Sequence, residues 1–280
     1  MDPGYQYKNR VLELNMLFEY ARNLVSRFEI KEDARWYQRA AVLAYQESVD
    51  TVGIGLSYLP ESPVRSEIKS FSPQTLASQT RILVDNYLTI GYLLADKDQE
   101  EERLQKMVWD QAIDRKRYEM VDQFNPDNPR IEKIESAIDR RREKIKSHSL
   151  FSNLDDDSQN NCCNGFRDKI YTNNELVRKL DLDEDAFWSQ YKHYSQFVHS
   201  TAFASDQLEA FRKNRQGSIQ FVSTMLGNFE AIFSMNTLEV SEGFGIDSGE
   251  VPLSVLNILL FWNDAMQGNY ENPGPRPNTT

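Results

Sequence analysis

Apolar residues recur at intervals of three and four along almost the whole chain, the spacing of amphipathic helices rather than of strands. Val11, Leu14, Leu17, Phe18, Ala21, Leu24, Val25 and Phe28 trace the buried stripe of a first helix. A second helix is predicted over about 32–59, with Trp36, Leu43, Ile54 and Leu56 as core positions. Gly53 and Gly55 in its middle mark a bend or a close approach, and Pro60 and Pro63 end it. Ser72 followed by Pro73 is a helix start: a hydroxyl that can cap, then a residue whose missing N–H costs nothing in the first turn. The helix that follows is apolar around most of its girth between Ile82 and Leu94, which predicts a place at the centre of a bundle. A helix over about 101–124, with Leu104, Met107, Val108, Ile113 and Val121 inward, follows an acidic run suited to its N-terminus and runs into the loop signal of residues 125–129.

Residues 130–146 read differently. Seven basic residues stand against four acidic ones, a local excess of positive charge, with few large apolar side chains. This predicts a solvent-exposed helix, and the aspartates and polar run after it (155–165) predict an irregular loop, the natural place for an insertion or a hinge. Helices are predicted over about 173–180, 185–202, 218–239 and 251–266. The proline-rich end, 271–280, predicts a mobile tail. The class is all-α: a helical bundle with additional N- and C-terminal helices, read as one domain over 1–270 with a core near 71–202 and an insertion near 125–165.

Composition narrows the function. Across 280 residues, 32 Lys and Arg face 43 Asp and Glu, a formal net charge of −11. That disfavours a sequence-blind nucleic-acid binder, which needs positive surface to displace counterions, yet leaves room for a local basic site. The two cysteines, Cys162 and Cys163, are adjacent, lack zinc-site spacing and read as free thiols of a reducing compartment. The N-terminal residues show neither an apolar run nor a cleavage pattern, and the longest apolar stretch, 251–262, is too short for a bilayer. A soluble, cytoplasmic chain is expected, without membrane association.

The zinc-protease, phosphate-loop and dinucleotide motifs are absent. With three histidines in the chain, a multi-histidine metal centre is disfavoured, and no metal or other cofactor is assigned. One segment stands out: Tyr191-Lys192-His193-Tyr194-Ser195-Gln196-Phe197-Val198-His199. Seven residues make nearly two helical turns, so Lys192, Ser195 and His199 share one stripe. An ammonium holds an anion, and an imidazole exchanges a proton near neutral pH, a combination suited to phosphate chemistry. A polar stripe on an amphipathic helix explains the same spacing. Arg81 and Asp85, four apart, fit either a local ion pair or a second anion contact beside His199. Arg142 and His148 repeat a similar spacing in the charged helix and read as coincidence or, at most, a basic patch.

Two stretches resemble an uncharacterised bacterial family of helical proteins. One is Gln79-Thr80-Arg81-Ile82-Leu83-Val84-Asp85-Asn86-Tyr87, where that family has Arg and then an acid four residues on. The other is 191–199, where its pattern runs Tyr-Arg-x-x-Ser-x-x-x-His. Read as a basic residue, six residues, then His, the second stretch also resembles the signature of the HEPN superfamily (higher eukaryotes and prokaryotes nucleotide-binding). The resemblance covers about 71–202. It implies a helical, dimeric, metal-independent endoribonuclease or nucleotide-binding protein of bacterial defence or stress response. By position, Lys192 takes the arginine place and His199 the histidine place as catalytic residues. His193 takes the polar place and, with Arg81 and Ser195, would bind phosphate. RNA and a second copy of the chain are the partners it implies. Lysine in the arginine place keeps the charge but lacks the planar two-pronged grip on phosphate. The alternative is therefore a non-catalytic helical module for protein–protein interaction, with its partner unspecified.

Overall fold

The computed structural model describes residues 3–28, 34–60, 62–64, 72–199, 201–213 and 215–268, and these form α-helices without a strand. The helices are α1 (Pro3–Arg27), α2 (Trp36–Tyr58), α3 (Pro73–Leu94), α4 (Gln99–Phe124), α5 (Ile131–Lys146), α6 (Asp156–Asn164), α7 (Asn173–Lys179), α8 (Glu184–Val198), α9 (Ala202–Lys213), α10 (Arg215–Gly243) and α11 (Leu253–Met266). The all-α class expected from the periodicity is what the chain adopts. The predicted tail over 271–280 lies outside the described residues.

The chain separates into two compact units, one drawn from Met1–Leu94 and Val177–Thr280, the other formed by Ala95–Leu176. The insertion predicted near 125–165 lies within the second of these, together with α4.

In the first unit α3 is the central helix, packed against α2, α8 and α10, as its all-round apolar surface predicts. Leu76, Leu83, Tyr87, Ile90 and Leu93 are buried on it, and Ser72 caps its start by accepting from the Thr75 N–H at 3.3 Å. Helix α1 lays Val11, Leu14, Leu17, Ala21 and Leu24 against α2 and α10. Each fully buried leucine contributes about 1.5–3 kcal/mol. The glycines of α2 serve close packing: a Cβ on Gly55 would sit 3.1 Å from the Phe229 ring, and α2 runs unbroken through both. A buried polar network ties three helices together. Asn86 on α3 donates to Ser48 Oγ on α2 at 3.1 Å, Asn236 on α10 donates to the Leu83 carbonyl at 3.1 Å, and Tyr45 donates to Thr237 Oγ1 at 3.1 Å.

Three predicted core positions turn outward. Leu43 and Ile54 are 60% and 51% exposed, because α2 buries Val42, Tyr45, Val49, Val52 and Leu56 instead. Ile113 on α4 is also exposed, since Leu104, Val108 and Ala112 carry the buried stripe.

The second unit packs α4, α5 and α6 against one another. Here the expected loop is a helix. Asp155 caps α6 by accepting from Ser158 N at 2.9 Å, and Gly165, at φ 69°, ends it in the left-handed region that favours glycine. The polar run still has one inward face, with Ser158, Cys162 and Cys163 buried. Both thiols are free, and burial pushes the Cys162 thiol up to about 12. The side-chain amide of Gln111 on α4 donates to the Ile138 carbonyl at 3.1 Å and to the Cys163 carbonyl at 2.8 Å, joining all three helices. The basic helix α5 is exposed along much of its length, as predicted, but it buries Ile138 and Ile145 and half-buries Ile131, Ile134, Ala137, Arg141 and Arg142, and much of its charge is paired: Arg141 holds Asp114 at 2.7 Å. No helix among the described residues is long and apolar enough to cross a membrane.

Candidate functional site

Helix α8 starts at Asp183, whose carboxylate accepts from the Ala186 N–H, and closes at His199, whose N–H still reaches the Ser195 carbonyl at 3.1 Å. It buries Phe187, Tyr194 and Phe197. That leaves Trp188, Tyr191, Lys192, Ser195 and His199 along adjoining flanks, since steps of three and four keep residues on one side of a helix.

Packing of α3 against α8 brings Arg81 to this row. Its Nη2 donates to Tyr191 Oη at 2.9 Å, its guanidinium carbon lies 5.1 Å from the centre of the Tyr191 ring, and its Nη1 lies 3.5 Å from His199 Nε2. A guanidinium only donates, so a hydrogen bond in this geometry needs a lone pair on Nε2 and the imidazole proton on Nδ1. A protonated imidazole would instead place two cations side by side, an arrangement relieved by an anion bridging them.

The site is rich in donors and poor in acceptors. Arg81 makes no ion pair with a carboxylate among the described residues; the pair with Asp85 that the spacing permits is not formed. The Nε of Arg81 is buried without an acceptor among the described residues, and so is the indole Nε1 of Trp188, whose ring centre lies 5.4 Å from that of Tyr191. Unmet buried donors of this kind cost about 1–3 kcal/mol each until an acceptor arrives.

The sequence-nominated residues fall into three groups. Arg81 and His199 meet directly. Lys192 is exposed, with no hydrogen-bond or ion-pair partner among the described residues, and stands on the same side of α8 as His199. Ser195 Oγ donates to the Tyr191 carbonyl at 3.0 Å, so its proton is used within α8. His193 lies a hundred degrees around the helix from Lys192, where its ring packs against Phe197 at 5.3 Å and Phe221 of α10 at 6.1 Å. Burial shifts its imidazole below the ordinary histidine range. That is the environment of a packing residue. Tyr191 and Trp188, which the sequence reading does not nominate for the site, complete the cluster. The run 188, 192, 195, 199 carries the helical signal, but aromatic residues in such a run normally read as core.

No group of three or more His, Cys, Asp or Glu residues arranged to hold a metal ion occurs among the described residues. Compared with known proteins, the chain matches no family model, no curated protein and no solved structure.

Proposed function

We propose that the Arg81–Tyr191–His199 cluster, with Lys192 beside it, binds a phosphate group of RNA or of a nucleotide. We further propose that the protein is a HEPN-like endoribonuclease or nucleotide-binding component of a bacterial defence or stress system. One observation carries this reading: among the described residues, a half-buried arginine has no carboxylate partner and touches an exposed histidine, and two buried donors lack an acceptor. In catalysis His199 exchanges the proton of the attacking or leaving oxygen, and Arg81 and Lys192 hold the anionic oxygens. A second copy of the chain facing this site is part of the same proposal.

The test is cleavage of single-stranded RNA with EDTA present, wild type beside His199→Ala, and RNA binding by fluorescence anisotropy beside Arg81→Ala. Loss of about 10²–10⁴-fold in rate for His199→Ala is expected, the range for a positioned proton-transfer group. Equal cleavage by both chains, or neither cleavage nor binding by wild type, overturns the reading.

A second reading draws on a different surface. Leu43, Ile54 and Tyr58 are each more than half exposed along one side of α2, as in a helical module that docks a protein partner. In that case Leu43→Asp abolishes partner binding and Arg81→Ala leaves it intact.

A further inference from the structure

The basic helix α5 takes no part in the Arg81 cluster, yet one side of it borders an open surface pocket of about 400 Å³ within the second unit. This lies in the range of about 300–1,000 Å³ occupied by small-ligand sites. Arg142 and Lys146, four apart and so on one face of α5, line it together with Phe151 from the short 3₁₀ turn 151–153 and Gln159, Asn160 and Asn164 of α6. Three kinds of chemistry meet there: two cations, one aromatic ring and three carboxamides.

Each cation has a carboxylate partner, but neither is fully committed to it. Arg142 Nη1 holds Asp139 at 2.8 Å, but its buried Nε has no acceptor among the described residues. Lys146 pairs with Glu143 at 3.1 Å, and that pair is half or more exposed on both sides, where an ion pair is worth little. Both cations bear on the same spot. Burial raises the Cys163 thiol at the pocket wall, while Lys146 and then Arg142 draw it back down. The carboxamides are partly used: Gln159 Nε2 donates to the Leu154 carbonyl at 2.8 Å and Asn164 Nδ2 donates to Asn160. Their remaining oxygens, with the amide nitrogen of Asn160, offer both acceptors and a donor, the mixture that a nucleobase edge pairs with. Asp156 also lines the pocket. Its carboxylate repels any phosphate placed beside it, which leaves Arg142 and Lys146 on α5 as the phosphate end.

We propose that this pocket is a nucleoside monophosphate site, with the phosphate on Arg142 and Lys146, the base against Phe151, and its edge read by the α6 carboxamides. The site shares no residue with the Arg81 cluster and stands whether or not that cluster binds RNA.

Calorimetric titration of the full chain with adenosine and uridine 5′-monophosphates tests it, with inorganic phosphate and free adenosine as separate arms. Lys146→Ala, at a half-exposed side chain, is expected to fold as wild type and to weaken nucleotide binding about tenfold, as Arg142→Gln should. Phe151→Ala is expected to weaken the nucleotides about tenfold and to leave inorganic phosphate unchanged, since a stacked base contributes roughly that much. Arg81→Ala should leave the titration unaltered. Several results overturn the proposal: no binding of either nucleotide at about 1 mM, equal affinity for phosphate alone, affinity insensitive to Lys146→Ala, or affinity lost in Arg81→Ala instead.

Discussion

Arg81 and His199 are separated by 118 positions in the chain, and neither alone distinguishes itself from a surface residue. Their meeting is what motivates the proposed site. Tyr191 orients the pair by accepting from Arg81 Nη2, so Tyr191→Phe should loosen the guanidinium while preserving the ring beneath it. The expected outcome is RNA affinity reduced about three- to tenfold, because the guanidinium is less firmly held, and a melting temperature lowered by about 2–6 °C, because the hydrogen bond lost lies within the fold and one to a charged group is worth about 1.5–3 kcal/mol at most. Gly165 shows the opposite dependence, on space and backbone. It sits at φ 69°, and a Cβ there would lie 2.7 Å from the Gln111 carbonyl oxygen. Gly165→Ala should cost about 2–3 kcal/mol, from left-handed backbone strain and a contact with backbone that cannot yield. A urea denaturation midpoint measures it.

At the scale of elements, α10 is the helix on which the first unit depends. It packs against α1, α2, α3, α9 and α11, and it buries Glu230, Asn236 and Thr237 among its apolar residues. Glu230 is held by Arg10 at 3.2 Å, with Arg10 stacked over Trp262 at 4.5 Å; burial pushes the Glu230 carboxyl upward, and Arg10 opposes the shift. Further along, burial and then the nearby Glu242 raise Glu239 to about 7. A carboxyl whose folded pKa is raised favours the folded state fully below its unfolded value, about 4.3. That contribution is lost as pH rises through the folded value. Thermal stability should therefore fall between about pH 4.5 and pH 7, and Glu239→Gln should flatten that fall. The expected gain is about 1–2 kcal/mol at pH 8 with little change at pH 4.5, read from melting temperatures at the two pH values. Asn236 answers a separate test: Asn236→Ala leaves the Leu83 carbonyl without this donor and should cost about 1–3 kcal/mol at either pH.

For the molecule as a whole, the net charge of −11 sets the terms on which any nucleic acid binds. Binding must be carried by a few local cations. With Arg81 and Lys192 as the phosphate contacts, the logarithm of RNA affinity should fall against the logarithm of salt with a slope of about −1.4, from about 0.7 per phosphate on a single strand. A slope several times steeper would mean that the basic helix α5 carries the RNA instead. Periodicity made most of the helical inventory legible, down to the capping serine of α3 and the central place of that helix. It misassigned Leu43 and Ile54, because both sides of α2 carry apolar residues and only neighbouring helices select which side is covered. It also read α6 as a loop, because a helix of nine mostly polar residues is fixed by its Asp155 and Gly165 ends and by Gln111, not by an apolar stripe.

The sequence by itself determined the all-α class, the helix spacing and the stripe on which Lys192, Ser195 and His199 lie, because a helix's period and caps are local properties of consecutive residues. Only the tertiary structure decided which members of that stripe meet a partner. It carried Arg81 to Tyr191 and His199, left Trp188 and Arg81 with buried donors lacking acceptors among the described residues, and turned His193 into the aromatic packing against α10. Those outcomes depend on the rotation and approach of one helix against another. They are set by the sum of many weak packing contacts distributed over the chain, and no short window of sequence contains that sum.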